Sequence, residues 1–569
     1  MTPPTSINYD IIVIGSGAAG LAAAVFAANA GKRVAIIEKS TYLGGTSAFT
    51  AGTLWVPGNT SALVAGAPEN DIEEARKYVS GLAGKPLEDP MLDSYLSTGP
   101  EAIEALLAGS EVEFEVREVH PDYFSNQPGS TMGYRPLEAL SYHNRHSKLL
   151  KYIRPQHEEL TVFGGMMLGR TEIPRLANIA RSPFAPKTWP EYFLAFRLVT
   201  GHLWSKVFVG RPTRFTMGNA LIARLVATAE KLGVTVLRET TVTALHEENG
   251  RISGLTVQQS GTEHTLHAKY GIISATGGFN RNPKRRAHLL PDVPADWSAV
   301  AESVTGDLFD LYEQHGAVFE NTLTGAFFAP VSLPPRSDGT HGNYPHFAMD
   351  RGKPGFITVD QHGKRYQNEA MSYNHFASQM RKHGASALPS WMICDRKAFK
   401  QFGIGVIRPG GWGKSRRLKD GYLIEAATIA ELAEKLQLPA DTLTATVERF
   451  NAQVATGQDS DFNRGDTGYE RNFGHPGNQP NPNLGQLSSG PYYAIRLYPG
   501  DIATTAGFRT GLQAEALNAE GNTIPGLYFV GNDMRSVMGD VYPGPGVTLG
   551  PGVVFAYAAV RHALQASGA

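Results

Sequence analysis

Residues 9–39 read "YDIIVIGSGAAGLAAAVFAANAGKRVAIIEK". The run "DIIVI" is short, apolar and rich in β-branched residues, as in a strand buried on both faces of a parallel sheet. Gly15, Gly17 and Gly20 follow at the G-x-G-x-x-G spacing. There the first glycine makes a tight turn and the second lets the backbone approach a pyrophosphate. The third lets the helix pack closely on the strand. "LAAAVFAANA" predicts a helix whose leading N–H groups face the phosphates, and Ser16, Ala18 and Ala19 belong to that contact surface. "RVAIIEK" predicts the next strand, closed by Glu38 and Lys39. A carboxylate at Glu38 can accept both ribose hydroxyls, which favours an adenosine without a 2′-phosphate. Strand, fingerprint, helix, strand and terminal acid together predict a Rossmann-type α/β dinucleotide site.

At 569 residues the chain is too long for one core, so two domains are expected. "YGIISATGGFNRNP" (270–283) predicts another buried strand ending at Thr276, Gly277 and Gly278, where the chain passes the nucleotide and leaves for the second domain. "GNTIPGLYFVGND" (521–533) predicts the returning strand, placing Gly531, Asn532 and Asp533 beside the ligand. A last helix is expected from about Thr548 and Leu549 through "VVFAYAAVRHAL". The nucleotide domain is therefore discontinuous, built on a parallel sheet from 1–285 and 487–569. Residues 286–486 form an inserted α+β substrate (catalytic) domain.

Lys+Arg 52 against Asp+Glu 53 give a net charge of −1, which argues against nucleic acid as a partner. The single cysteine, Cys394, excludes an internal disulfide and a thiol metal cluster, and is expected to be a small buried hydrophobe. No metal site is expected. Residues 11–31 are apolar enough to mimic a membrane span, but their glycine spacing fits strand, turn and helix. "MTPPTSINYD" lacks the charge and apolar run of a signal peptide, so a cytoplasmic protein is expected.

"EKSTYLGGTSAFTAGTLWVPGN" (38–59) resembles the flavoproteins of the fumarate reductase and succinate dehydrogenase superfamily. The resemblance implies FAD. Gly44, Gly45, Thr46, Ser47 and Gly52 would then run beside the pyrophosphate and ring, with Val242 at the adenine and Asn532 and Asp533 near the ribityl chain. Members that attach FAD covalently use a histidine near this segment, and here there is none, so noncovalent FAD is expected. The bare turn "GDVYPGPGVTLGPG" (539–552) would let the ring lie against backbone, with the N-terminus of the last helix stabilising negative charge on it.

The dicarboxylate-binding "HPTG" segment of that superfamily is absent, as are G-x-S-x-G, H-E-x-x-H and C-x-x-C. Arg351 and Arg365 keep a catalytic arginine open. What is present resembles the 3-ketosteroid Δ1-dehydrogenases at both ends of the chain. In that family a phenol and an amide of "YPGPG" hold the ketone oxygen, which implies Tyr542 and the Gly546 N–H. A base tyrosine follows a "G-[KR]-R-[FY]-x-N-E" segment; "HGKRYQNEAMSYNHF" implies Tyr373. An assisting tyrosine sits in a "DY" pair; "HPDYFSNQPG" implies Tyr123, with Tyr134 and Tyr152 as substitutes.

The implied reaction polarises the ketone, moves the α-proton to Tyr373 and the β-hydride to flavin N5, and leaves an α,β-unsaturated ketone. His120 and His375 are neighbouring bases that the family does not use. The excursion 162–209 is aromatic and basic: a lid, a membrane-touching surface or an ordinary packed subdomain. Its difference from the steroid enzymes keeps open a smaller cyclic ketone, such as a cyclohexanone derivative. An ene- or fumarate-reductase running the reverse reaction and a noncatalytic flavin binder also stay open. The substrate is expected to be lipophilic, the electron acceptor is undetermined, and peripheral membrane contact is an expected possibility.

Overall fold

The computed structural model describes residues 6–181, 185, 188–347 and 350–566. Five residues of the excursion, 182–184 and 186–187, therefore lie outside the described part. The opening strand Ser6–Ile14 runs parallel to Val34–Glu38 on one side and to Thr262–Ser274 on the other. Thr235–Arg238 extends the sheet beyond Val34–Glu38, and the returning strand Thr523–Phe529 lies parallel beyond Thr262–Ser274. Hairpin strands Thr240–Glu248 and Arg251–Gln259 branch from Thr262–Ser274, and the short Glu515–Leu517 pairs antiparallel with Thr523–Phe529, completing eight strands. Helices Ala18–Asn29, Met217–Lys231, Pro90–Gly109 and Leu549–Ala566 pack together around it. Ile11–Ile14 and Val34–Ile37 are 0–5% exposed along their whole length, so these strands read as continuous apolar runs.

A second, antiparallel sheet of six strands is built from Ala326–Ser332, Tyr344–Pro345, Phe356–Val359, Ser390–Cys394, Ile424–Ala426 and Tyr492–Thr504. It keeps the chain through Thr504, past the expected return at 487. Tyr492–Thr504 is its hub, pairing with three other strands. The two sheets are tied by Asp501 of that hub. Its buried carboxylate accepts Asn280 Nδ2 at 2.7 Å, Arg286 Nη1 at 3.0 Å and Ser298 Oγ at 2.7 Å. A small sheet of Thr53–Trp55, Pro136–Ala139 and Phe114–Val116 lies beside the nucleotide unit.

Residues 162–209 hold the helices Glu172–Arg181 and Trp189–Phe208. They share a small core of Met166, Leu194 and Leu198. No helix among the described residues is long and apolar enough to cross a membrane. Cys394 is fully buried in the core of the second unit, where burial pushes its thiol well above the usual range.

Candidate active site

The glycine turn after the first strand does what its spacing predicts. Gly15 has φ +101°, and a Cβ there would stand 2.3 Å from the Ala275 carbonyl oxygen. A Cβ on Gly20 would stand 2.1 Å from the Gly15 oxygen, so the third glycine is spent on helix–strand contact. At Gly17 the nearest atom is Ser47 Oγ at 3.5 Å. The protein itself does not need that glycine; a ligand pressed against the backbone does.

Gly17 opens on a cavity lined also by Gly15, Ser16, Ala18, Ala19, Glu38, Lys39, Gly45, Thr46, Ser47, Val242, Thr276, Gly277, Gly531, Asn532, Thr548 and Leu549. The N-termini of Ala18–Asn29 and Leu549–Ala566 both open on it, two convergent sources of N–H groups and positive dipole. Bare glycine, two helix starts and the Glu38 carboxylate fit the phosphates and ribose of FAD. Glu38 also organises the loop: Oε2 accepts Ser16 Oγ at 2.6 Å and Ser16 N at 3.1 Å, and Oε1 accepts Ser40 N at 2.9 Å.

Four expected contacts stand behind this surface. Gly20 is packed as described. Gly44 faces Ile222, and a Cβ on Gly52 would lie 2.6 Å from Met217 backbone. Asp533 is buried, its carboxylate accepting Ser274 Oγ, Thr276 N, Thr276 Oγ1 and Gly278 N at 2.6–3.0 Å. It locks the two strand ends together and leaves the cavity to Asn532. Sequence reading passed over Thr50, Ser303 and Gly552, which also line the cavity. They carry no motif; only the fold brings them there.

The three tyrosines, from positions 123, 373 and 542, meet. Ring centroids are 5.4 Å apart for Tyr123–Tyr373, 5.4 Å for Tyr373–Tyr542 and 5.6 Å for Tyr123–Tyr542, the last pair stacked at 8°. The glycine–proline turn is pinned from outside. The Pro543 carbonyl accepts the Tyr123 N–H and the Tyr78 hydroxyl, both at 2.8 Å. Trp55 fills the space beside Gly544, where a Cβ would lie 2.6 Å from the indole nitrogen. That indole donates to Asp122 at 2.9 Å, and Asp122 is held by Arg135 at 2.6 Å. Asp122 thereby anchors the dipeptide that delivers Tyr123.

Gly546 has φ +92°, and a Cβ would meet the Thr53 carbonyl at 2.4 Å, so only glycine fits. Its N–H has no acceptor among the described residues. Tyr373 opens the helix Tyr373–His383, capped by Ser372 and tied to strand Ala326–Ser332 by Asn374 Oδ1, which accepts Phe328 N at 2.8 Å.

Burial raises all three phenols above their usual range. For Tyr542 this keeps the hydroxyl protonated and able to donate a hydrogen bond. For Tyr123, hydrogen bonding from Tyr373 and the charge of Arg170 oppose burial.

A fourth phenol, Tyr469, packs 5.1 Å from Tyr123 and carries no flanking motif. Phe327 and Phe347 complete an apolar wall, each 4.8 Å from a tyrosine ring. Other candidates lie elsewhere. Arg365 is clamped between Glu369 and Asp459, and Arg351 is buried on the carbonyls of His346, Phe347 and Glu369. Tyr152 stacks under Arg238, and the Tyr134 hydroxyl lies beside Gly66. His375 is held by Gln379 at 2.9 Å and kept below its usual pKa by burial.

Comparison with known proteins gives the family. The model of the FAD binding domain family matches residues 10–549. A 3-oxosteroid 1-dehydrogenase of Mycolicibacterium smegmatis is 34% identical over 98% of this chain and 97% of its own. The chain belongs to this family of FAD-binding flavoproteins. A 4-oxocyclohex-2-ene-1-carboxylate 5-dehydrogenase of Sinomonas cyclohexanicum is also 34% identical, over 98% of this chain and 94% of its own. Among solved structures, the 3-ketosteroid Δ1-dehydrogenase of Sterolibacterium denitrificans in complex with 1,4-androstadiene-3,17-dione superposes with a TM-score of 0.88. Identity there is 28%, covering 98% of this chain and 100% of that one. The cofactor of the family member described here is FAD, and Leu43–Trp55 offers no histidine for a covalent link.

Proposed function

We propose that the protein is an FAD-dependent dehydrogenase of the 3-ketosteroid Δ1-dehydrogenase type, forming a C=C bond next to a ring ketone. The observation that carries this reading is the meeting of a buried phenol and an unpartnered glycine amide in one turn, with a second and third phenol against them. Tyr542 and the Gly546 N–H donate to the ketone oxygen, stabilising negative charge as it develops there. That acidifies the adjacent carbon, whose proton passes to Tyr373, with Tyr123 sharing the charge left on the pair. Bound FAD supplies the hydride acceptor. Phe327 and Phe347 exclude water and favour a lipophilic ring.

The experiment is anaerobic mixing of the yellow holoenzyme with 1,2-saturated 3-ketosteroids and with cyclohexanones, followed by flavin bleaching. Tyr542→Phe and Tyr373→Phe should each slow bleaching by about a hundredfold or more, leaving the oxidised flavin spectrum intact. Full turnover in both variants removes the mechanism. Bleaching by no ketone, alongside fast reoxidation of the reduced protein by enones or fumarate, makes it a reductase.

The helix Trp189–Phe208 is proposed to rest on an anionic membrane surface. Leu194 and Leu198 face inward, yet Trp189, Phe193, Phe196, Val207 and Phe208 are 66–74% exposed. Its exposed charges are Arg197 and Lys206, while its one acid, Glu191, is partly buried. Aromatic side chains with cations suit a lipid headgroup layer.

A further inference from the structure

Beside the ketone-holding turn lies a polar patch that the proposed reaction does not use. In the small sheet, Thr53, Glu138 and Glu115 stand directly opposite one another across three strands, so their side chains share a face. Two guanidinium groups converge on Glu138: Arg170 Nη1 at 3.2 Å and Arg117 Nε at 3.6 Å. Glu138 is buried, and Arg170 comes from the excursion 162–209. Two buried polar atoms of this patch have no hydrogen-bond partner among the described residues: Thr53 Oγ1 and His120 Nδ1. Buried polar groups are nearly always paired, so two orphans in one patch mark a place for a ligand's oxygens.

The patch adjoins the reaction site on two sides. The Thr53 carbonyl presses against Gly546, the residue whose N–H would hold the ketone. His120 lies edge-on to Phe473 at 5.5 Å; Phe473 lies 4.9 Å from Tyr469, and Tyr469 5.1 Å from Tyr123. Burial, and after it the charge of Arg170, pushes the His120 pKa down to about 3, so the ring is neutral and offers a hydrogen bond without a charge. The field of Arg170 also reaches Tyr123 and Tyr469.

We infer that Arg170, with Arg117 and His120, is a carboxylate subsite, and that the preferred substrate is a ring ketone that also carries a carboxylate. This rests on the ketone-dehydrogenase reading and names its substrate class. Two guanidiniums on the buried Glu138 leave donors to spare, with Glu115 reaching only Arg117, at 3.5 Å. An incoming carboxylate can take a bidentate bond from Arg170 while the ketone sits at Tyr542 and Gly546. A neutral steroid would desolvate the same donors without pairing them, which costs affinity.

The test compares 4-oxocyclohexanecarboxylate, its methyl ester and a neutral 3-ketosteroid on wild-type holoenzyme, Arg170→Gln and Arg170→Lys. Unreactive cyclohexanecarboxylate, titrated against the oxidised flavin spectrum, gives a direct binding constant. The expected result is a tenfold or greater rise in KM for the acid, and a similar loss of cyclohexanecarboxylate binding, in Arg170→Gln. Arg170→Lys should recover part of both. Losing the charge near Tyr123 shifts kcat alike on acid, ester and steroid in Arg170→Gln, but the KM for ester and steroid should stay within about twofold of wild type. Equal KM rises on acid, ester and steroid would overturn the subsite; an unchanged KM for the acid with undiminished cyclohexanecarboxylate binding would overturn it too. Bleaching of the wild type by no ketone would instead remove the underlying reaction, and the subsite with it.

Discussion

In the proposed reaction Tyr123 and Tyr373 between them accept a proton, yet burial holds both phenols above their ordinary range. A raised phenol pKa means the neutral form dominates below it, and the base form grows as pH rises toward it. The rate of flavin reduction should therefore climb through neutral into alkaline pH, by about tenfold per unit at most. Stopped-flow bleaching across pH 6–10 (roughly the range between a free histidine and a free phenol) checks this. A maximum below neutrality would show that another base operates. Tyr542, whose proton is wanted, contributes nothing to that rise. At this scale the sequence was informative where a residue had a local excuse. Gly546 and Tyr542 sit in a turn with nothing else to pack, while Tyr469 and Arg170 have no neighbours that announce them.

Elements were legible where a period or a cap is written into the chain. The Rossmann unit needed only its apolar runs and three glycines, because a buried parallel strand and a close-packed helix each tolerate few alternatives. The helix Trp189–Phe208 was less legible, since it is apolar on its outer face as well as on its inner one. That outer face makes a prediction. Replacing Trp189, Phe193 and Phe196 by serine should lower co-sedimentation with anionic vesicles by about tenfold, with FAD content and ketone turnover in detergent unchanged. Wild-type protein that stays in the supernatant with such vesicles would reject membrane contact. Asp533 shows the opposite limit. Its place after the returning strand pointed to the ligand, but four donors from the neighbouring strand end claim both oxygens.

Across the whole molecule, the segment that delivers Tyr373 hangs on an ionic network. Glu369 accepts from Arg365 at 2.7 Å and Arg464 at 3.1 Å, and Arg365 also pairs with Asp459 at 2.7 Å. Burial alone would raise the Glu369 pKa, but Arg365 and then Arg464 hold it below the usual range. A depressed carboxylate contributes stability above its unfolded pKa and loses it as pH falls through the folded one. Glu369→Gln should thus cost about 3–5 kcal/mol in urea unfolding near neutral pH, since it takes the paired carboxylate from the buried Arg464 and leaves Arg365 with Asp459 alone. The difference from wild type should shrink under acid. Equal unfolding midpoints at neutral pH would mean that the network carries no net stability.

By itself the sequence determined the nucleotide-binding unit, its cofactor class through family resemblance, and three phenols worth testing. Each of those is encoded over a few consecutive residues, where sterics and periodicity act. Only the tertiary structure decided that positions 123, 373, 469 and 542 share one buried cluster, that Asp533 faces inward, and that Arg170 stands over Glu138. Those outcomes depend on contacts between residues from 32 to more than 300 positions apart, which burial selects and no local pattern records.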